Sequence, residues 1–290
     1  VTPDAALVLC RFLFDSSAIF LWGVFACLSW LIPAEFAQPV FQRLRNWLTF
    51  ALFLITCTTA SMLPLRAATI GEGWADALKP DMLLSILTDT NVGQAWILQA
   101  CAAVLLIASC LMRLGNRISA IIAGLLLATL TISGHAAMNS GWLRALHRLN
   151  DSLHLLSGGF WIGGLAPVLV TLAMLRDTRW QKAARVALMR FSSAGHVAVA
   201  VVIATGIINT ILIVGSPPLD WRLNYQLLLS VKILFVGLLV ALALTNRYLL
   251  VPRLARNPSL RPLIRVTTAE LALGLAVLGL VAVLGTLQPI

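Results

Sequence analysis

The residues with the most distinctive chemistry are imidazoles. His135 is followed three residues later by Met138, and His147, Asp151 and His154 are spaced four and three apart. Side chains at those spacings share one face of a helix, so each set can present its polar groups together. Imidazole binds both Cu(II) and Cu(I), and thioether favours Cu(I). Asp151 is placed to hold the second ring nitrogen of His154 and fix its tautomer, as outer-shell carboxylates do at metal sites. Copper is the cation this set suits. A buried hydrogen-bonded pair or a proton relay is the plainer use of the same two histidines, His135 and His154.

The elements that must position these groups are membrane helices. The chain has 290 residues, 60% of them hydrophobic and only 11% charged, against about 25% charged in a soluble domain. Its apolar runs reach the length of about 20 residues that a bilayer core demands. Eight spans are predicted, roughly Ala5–Ile32, Trp47–Leu65, Val92–Met112, Ile118–Ala137, Ser152–Leu175, Phe191–Val214, Tyr225–Leu249 and Val266–Leu287. Backbone groups in lipid must bond internally, so these are helices. The expected fold is all-α, a polytopic integral membrane protein forming a single transmembrane helical domain over 1–290.

Charge supplies the orientation. Basic residues concentrate at Arg43/Arg45, at Arg113/Arg117, between Arg176 and Arg190, and between Arg247 and Arg265. The positive-inside rule puts those loops in the cytoplasm and both termini in the periplasm. His135 and His154 then share a depth near the outer face, joined by a short outer loop. Glu72, Asp76, Asp81 and Asp89 give another outer loop an acidic character that suits a partner or cations. An excess of 21 Lys+Arg over 11 Asp+Glu needs no nucleic acid, because no basic face with interleaved aromatics accompanies it. The start, Val1 to Asp4, lacks a basic n-region and cleavage site, so the first apolar run reads as a helix.

Ionisable groups inside spans are costly and call for a role. Arg11 and Asp15 can pair with each other. His196, about two turns into the sixth span, is either a second station on a pathway or a core histidine. Lys232 and Glu270 sit at different depths and do not pair. Met62, Cys57 and Cys101 add soft atoms along a route through the bundle. No CxxC pair occurs among the five cysteines, which speaks against a disulfide framework. Hydrolase and nucleotide-binding motifs are missing, so the chain is not expected to be an enzyme. The cluster Ser157-Gly158-Gly159 and the pair Gly163-Gly164 should let helices approach closely.

Gly134-His135 and the stretch from Asp151-Ser-Leu-His154 to Trp161-Ile-Gly-Gly-Leu165 resemble the copper resistance protein D family (CopD/PcoD). So do Arg190-Phe191-Ser192, Thr205-Gly206, Tyr225 through Lys232, Asn246-Arg247, Pro252 and Glu270. The likeness is clearest over 130–290. Where some members carry a histidine early in the first helix, this chain has Phe14 and Asp15, and Gln226 follows Tyr225 where some have glycine. The resemblance implies copper transport across the bacterial inner membrane, inward from the periplasm, with a periplasmic CopC-type copper-binding protein as partner. The implied metal ligands are His135, His154, Met138 and His147. Asp151, His196, Met62, Cys57, Cys101 and Glu270 act behind them or along the pathway. Two other readings stay open: a b-type haem protein with His135 and His154 as axial ligands, and a non-transporting membrane partner of a periplasmic copper carrier.

Overall fold

The structure, a computed structural model, describes residues 1–132, 140–253 and 259–288. Helix α1 (Pro3–Ala26) starts at Thr2, whose hydroxyl accepts from the Ala5 N–H, with proline in the first turn. It widens into a π turn over Cys27–Leu31. Helix α2 (Ala34–Ile70) follows, then the short α3 (Pro80–Asp89) and α4 (Asn91–Leu111). Helix α5 (Asn116–Ala128) tightens to a 3-10 turn at Thr129–Thr131. Helices α6 (Gly141–Met174), α7 (Gln181–Val214), α8 (Asn224–Leu244) and α9 (Arg261–Leu284) complete the bundle. A π turn at Thr245–Leu250 extends α8.

Seven helices among the described residues are long and apolar enough to cross a membrane, against eight expected. The difference lies at the predicted span Ile118–Ala137. There the helical stretch of described residues runs only over Asn116–Thr131. Its last turn tightens where Thr129 and Thr131 donate back to the carbonyls of Leu126 and Ala128 at 2.6 and 2.9 Å, a local bond that competes with regular helix. Several other helices outrun their predicted spans. Helix α2 has 37 residues, about 56 Å of helix for a core of about 30 Å. Hydropathy marks only the lipid-facing centre of a helix, and Arg43, Arg45 and Arg66 extend α2 beyond it.

Helix α1 is the central post. Its Phe14, Ala18, Leu21, Val24 and Phe25 are buried against Phe36, Val40 and Ile55 of α2, Leu106 of α4, and Ala120 and Leu126 of α5. Against α6 the backbones nearly touch. A Cβ on Gly163 would run into the Ile19 carbonyl and stand 3.1 Å from Gly23 Cα, so the predicted close approach uses Gly23 and Gly163 as its contact. The Trp22 indole donates to the Leu156 carbonyl at 2.8 Å nearby. A second cluster, Trp161, Ala198, Leu239 and Val277, joins α6 to α7, α8 and α9. Outside, Phe53, Val104, Leu125, Ile207 and Leu234 are exposed, as hydrocarbon-facing side chains are.

The expected pairing of Arg11 with Asp15 is not made. The Arg11 guanidinium donates instead to the Gly285 carbonyl at 3.1 Å, where the end of α9 leaves carbonyls unsatisfied. Trp74, between α2 and α3, donates to the Val1 carbonyl at 3.1 Å. One end of the bundle therefore gathers the start of α1, the end of α9 and the 71–90 connection.

Candidate functional site

Because α6 begins at Gly141, His147, Asn150, Asp151 and His154 all lie on one continuous helix. Asn150, Asp151 and His154 meet α7 through a polar seam in an otherwise apolar bundle. Asn150 donates to Asn209 Oδ1 at 2.7 Å and to the Thr205 carbonyl at 3.0 Å. Asn209 in turn donates to Asp151 Oδ1 at 3.2 Å. His147 is fully buried.

His154 Nδ1 lies 3.0 Å from Thr205 Oγ1. That hydroxyl already gives its hydrogen to the Val201 carbonyl at 2.6 Å. A hydroxyl has one hydrogen to donate, so Oγ1 accepts here and Nδ1 carries the proton. The lone pair is then on Nε2, the form of neutral imidazole that ligates metal while its other nitrogen is held by a partner. The partner is Thr205, not Asp151 as the sequence suggested, because Asp151 is engaged by Asn209. Gly206 makes room for the ring: a Cβ there would stand 3.3 Å from His154 Cε1.

Lys232 of α8 acts electrostatically on both Asp151 and His154, and Tyr225 on the first turn of α8 senses Asp151 as well. Lys232 and Glu270 belong to different groups, as predicted.

The remaining sequence candidates are placed as follows. His135 and Met138 lie outside the described residues. The chain just before them is held to α6, with Arg148 donating to the Ile132 carbonyl at 3.1 Å and Thr131 Oγ1 lying 3.4 Å from Ser152 Oγ. His196 is exposed on α7, its Nδ1 bonded to the Ser192 carbonyl at 2.7 Å and its ring edge-on to Tyr248. It sits about 14 Å along α7 from Thr205 at ~1.5 Å per residue, too far to share a ligand shell with His154. Met62 packs with Leu7, Cys10 and Leu65. Cys57 and Cys101 are exposed on the bundle surface and are not gathered with the histidines. Glu270 is buried against Asn246 of the π turn. Among the described residues no group of three or more His, Cys, Asp or Glu is arranged to hold a metal ion. The sequence reading missed Asn150, Asn209 and the role of Thr205. Asn150 stands next to Asp151, and Thr205 and Asn209 sit four apart on the facing helix, a signal visible only once α6 and α7 are known to pair.

In the acidic 71–90 connection, Asp76 is tied inward. Its carboxylate pairs with Lys79 at 2.5 Å and accepts the Glu72 N–H. These two bonds hold it below the usual carboxylate range. Glu72, Asp81 and Asp89 stay exposed.

Comparison with known proteins follows the same outline. Residues 2–145 match the family described as "Copper resistance protein D-like, N-terminal domain", and residues 185–284 match "Copper resistance protein D". The chain is 32% identical to the Inner membrane protein YebZ of Escherichia coli (strain K12) over 283 residues, covering 96% of this chain and 97% of YebZ. It is 30% identical to the Copper resistance protein D of Pseudomonas syringae pv. tomato, covering 83% of this chain and 82% of that protein. It is also 30% identical to the Copper transport protein CutJ of Bacillus subtilis (strain 168), over 95% of this chain but only 51% of CutJ, so it spans about half the length of that relative. No solved structure matches. With its helical membrane bundle, its α6–α7 polar seam and these relatives, the chain belongs to the copper resistance protein D family.

Proposed function

We propose that this protein moves copper across the bacterial inner membrane, inward from the periplasm, and that His154 Nε2 receives the ion. The observation that carries this reading is the 3.0 Å contact of His154 Nδ1 with the Thr205 hydroxyl, which orients the ring and favours a lone pair on Nε2. His147 on the same helix is a companion ligand, and His135 and Met138 complete the set that the family resemblance implies. The names of YebZ as an inner membrane protein and CutJ as a copper transport protein support the location and the cargo. A periplasmic CopC-type protein is the proposed copper donor.

Eight crossings with both termini in the periplasm fit this reading. The Arg11–Gly285 and Trp74–Val1 bonds bring the start of α1 and the end of α9 to one end of the bundle. That closeness supports an even number of crossings, with α5 as the eighth. Weak binding at successive sites lets an ion leave as well as enter.

Metal analysis of the purified protein together with its absorption spectrum is the first test. Copper bound by the wild type and lost in His154→Ala supports the site, whereas unchanged stoichiometry and affinity in that variant reject it. A Soret band on the purified protein would move the assignment to haem. Liposomes loaded with a copper-sensitive dye separate transport from docking, since a docking subunit admits no copper under any gradient.

A further inference from the structure

Glu270 on α9 is the most deeply buried carboxyl among the described residues, with 3% of its surface exposed. It lies about 14 Å along α9 from the helix start at ~1.5 Å per residue. Among the described residues, no Lys, Arg or His nitrogen comes within ion-pair distance of it. Its neighbour is an amide: Asn246 Nδ2 donates to Glu270 Oε1, and also to Thr267 Oγ1 at 3.3 Å. Asn246 lies in the π turn Thr245–Leu250, and π turns within α-helices are frequent at functional sites. Asn246 Oδ1 is shut away from solvent without a hydrogen-bond partner.

Two costs therefore meet at one contact. An unpaired carboxylate is expensive inside a membrane, and an unpartnered buried oxygen costs about 1–3 kcal/mol. Taking up a proton relieves the first, and turning the amide gives Oδ1 a donor while moving Nδ2 into the unpartnered place. If Glu270 takes up a proton and the Asn246 amide turns over, the new O–H donates to Oδ1. The Thr267 hydroxyl can then donate where it accepted before, because it can do either. We propose that Glu270, Asn246 and Thr267 form an exchangeable proton site at the seam of α8 and α9.

The surroundings leave the carboxyl to this partner. Arg247 on the next residue is engaged with Ser192 Oγ at 2.7 Å and lies beside His196. Arg261 and Arg265 on α9 are exposed. Helix α6 has no titratable residue from Leu155 to Met174. On α1, Arg11 is bound at the opposite end of α9 and Asp15 is buried among α1 contacts. Glu270 belongs to no group of three His, Cys, Asp or Glu among the described residues, so a proton suits it better than copper. Asn246, the half-buried member, is the side from which water can deliver the proton. The carboxylate gains it on loading and returns it to water on unloading, with no other bond changed.

This deepens the copper-transport reading by naming the ion exchanged for copper, and it rests on that reading only for the coupling. The test uses the full chain in liposomes. Infrared difference spectra across a pH titration should show a carboxylic-acid C=O band in the wild type and in His154→Ala. The band should vanish in Glu270→Gln, which keeps an acceptor for Asn246, and shift in Asn246→Ala. Wild-type and Glu270→Gln spectra that superimpose overturn the proton site. Copper accumulation under an imposed pH difference then reads the coupling. One-for-one exchange changes the steady-state ratio roughly tenfold per pH unit, and Glu270→Gln should lose that response while still binding copper. An equal response in Glu270→Gln overturns the coupling. A wild type that carries no copper under either gradient refutes transport itself, and the infrared band still decides the proton site.

Discussion

Replacing Thr205 by valine exchanges a hydroxyl for a methyl of nearly the same shape and asks what holds His154. The lost atom sits 3.0 Å from Nδ1. Its own hydrogen bond to Val201 lies within α7, so the helix keeps its backbone ladder. The ring keeps the Val202 backbone as a partner but loses the hydroxyl. If the proton stays on Nδ1, one of its two acceptors is gone and the ring is held less firmly. If it moves to Nε2, the ligand lone pair goes with it. Both routes weaken the metal complex, and loss of such an outer-shell partner typically costs 10–100-fold in affinity. That range is about 1.4–2.8 kcal/mol. Competition titration of purified protein with a copper chelator measures it directly. Thr205→Ser keeps the hydroxyl and should retain most of the affinity. Valine binding copper as tightly as threonine, or serine losing as much as valine, would show that Nδ1 is not held this way.

Gly206→Val should press on the same ring from the adjacent position, since even a Cβ would stand 3.3 Å from Cε1; chelator competition should find weaker copper binding, with Gly206→Ala affected less. Gly163→Ala puts a methyl into the Ile19 carbonyl across the α1–α6 contact, and overpacking of this kind costs about 1–3 kcal/mol, read as a lower unfolding temperature in detergent. Lys79 and the Glu72 N–H depress the Asp76 carboxyl, so its contribution is present above its unfolded value of about 3.9 and lost as pH falls through the lower folded one. Hydrogen exchange across 71–79 should therefore quicken below about pH 4, and Lys79→Ala should blunt that change.

Hydropathy and charge made the bundle legible because lipid imposes one answer on a long apolar run. They failed where other forces govern length. The ends of α2, α6 and α7 run through polar residues that hydropathy scores as loop, and the threonines at 129–131 tighten a helix whose composition still reads as apolar. The site divides in the same way. The shared face of His147, Asp151 and His154 follows from helical periodicity alone. The partner of each group does not, because it depends on which helix packs alongside. Thr205 captures His154 and Asn209 captures Asp151 only through the α6–α7 pairing. Arg11 likewise prefers a carbonyl on α9, far away in sequence, to an aspartate one turn along its own helix.

That last contact bears on assembly in the cell. Helix α1 forms the centre of the bundle and is made before α9, yet the oxygen that accepts from its guanidinium, at Gly285, lies 274 residues further along the chain. Until α9 is made, the Arg11 guanidinium lacks that carbonyl, and its own helix, lipid defects or the insertion machinery must shelter it. Closure of the bundle by α9 is then a locking step, and chains cut short before Gly285 should be the ones that membrane quality-control proteases remove.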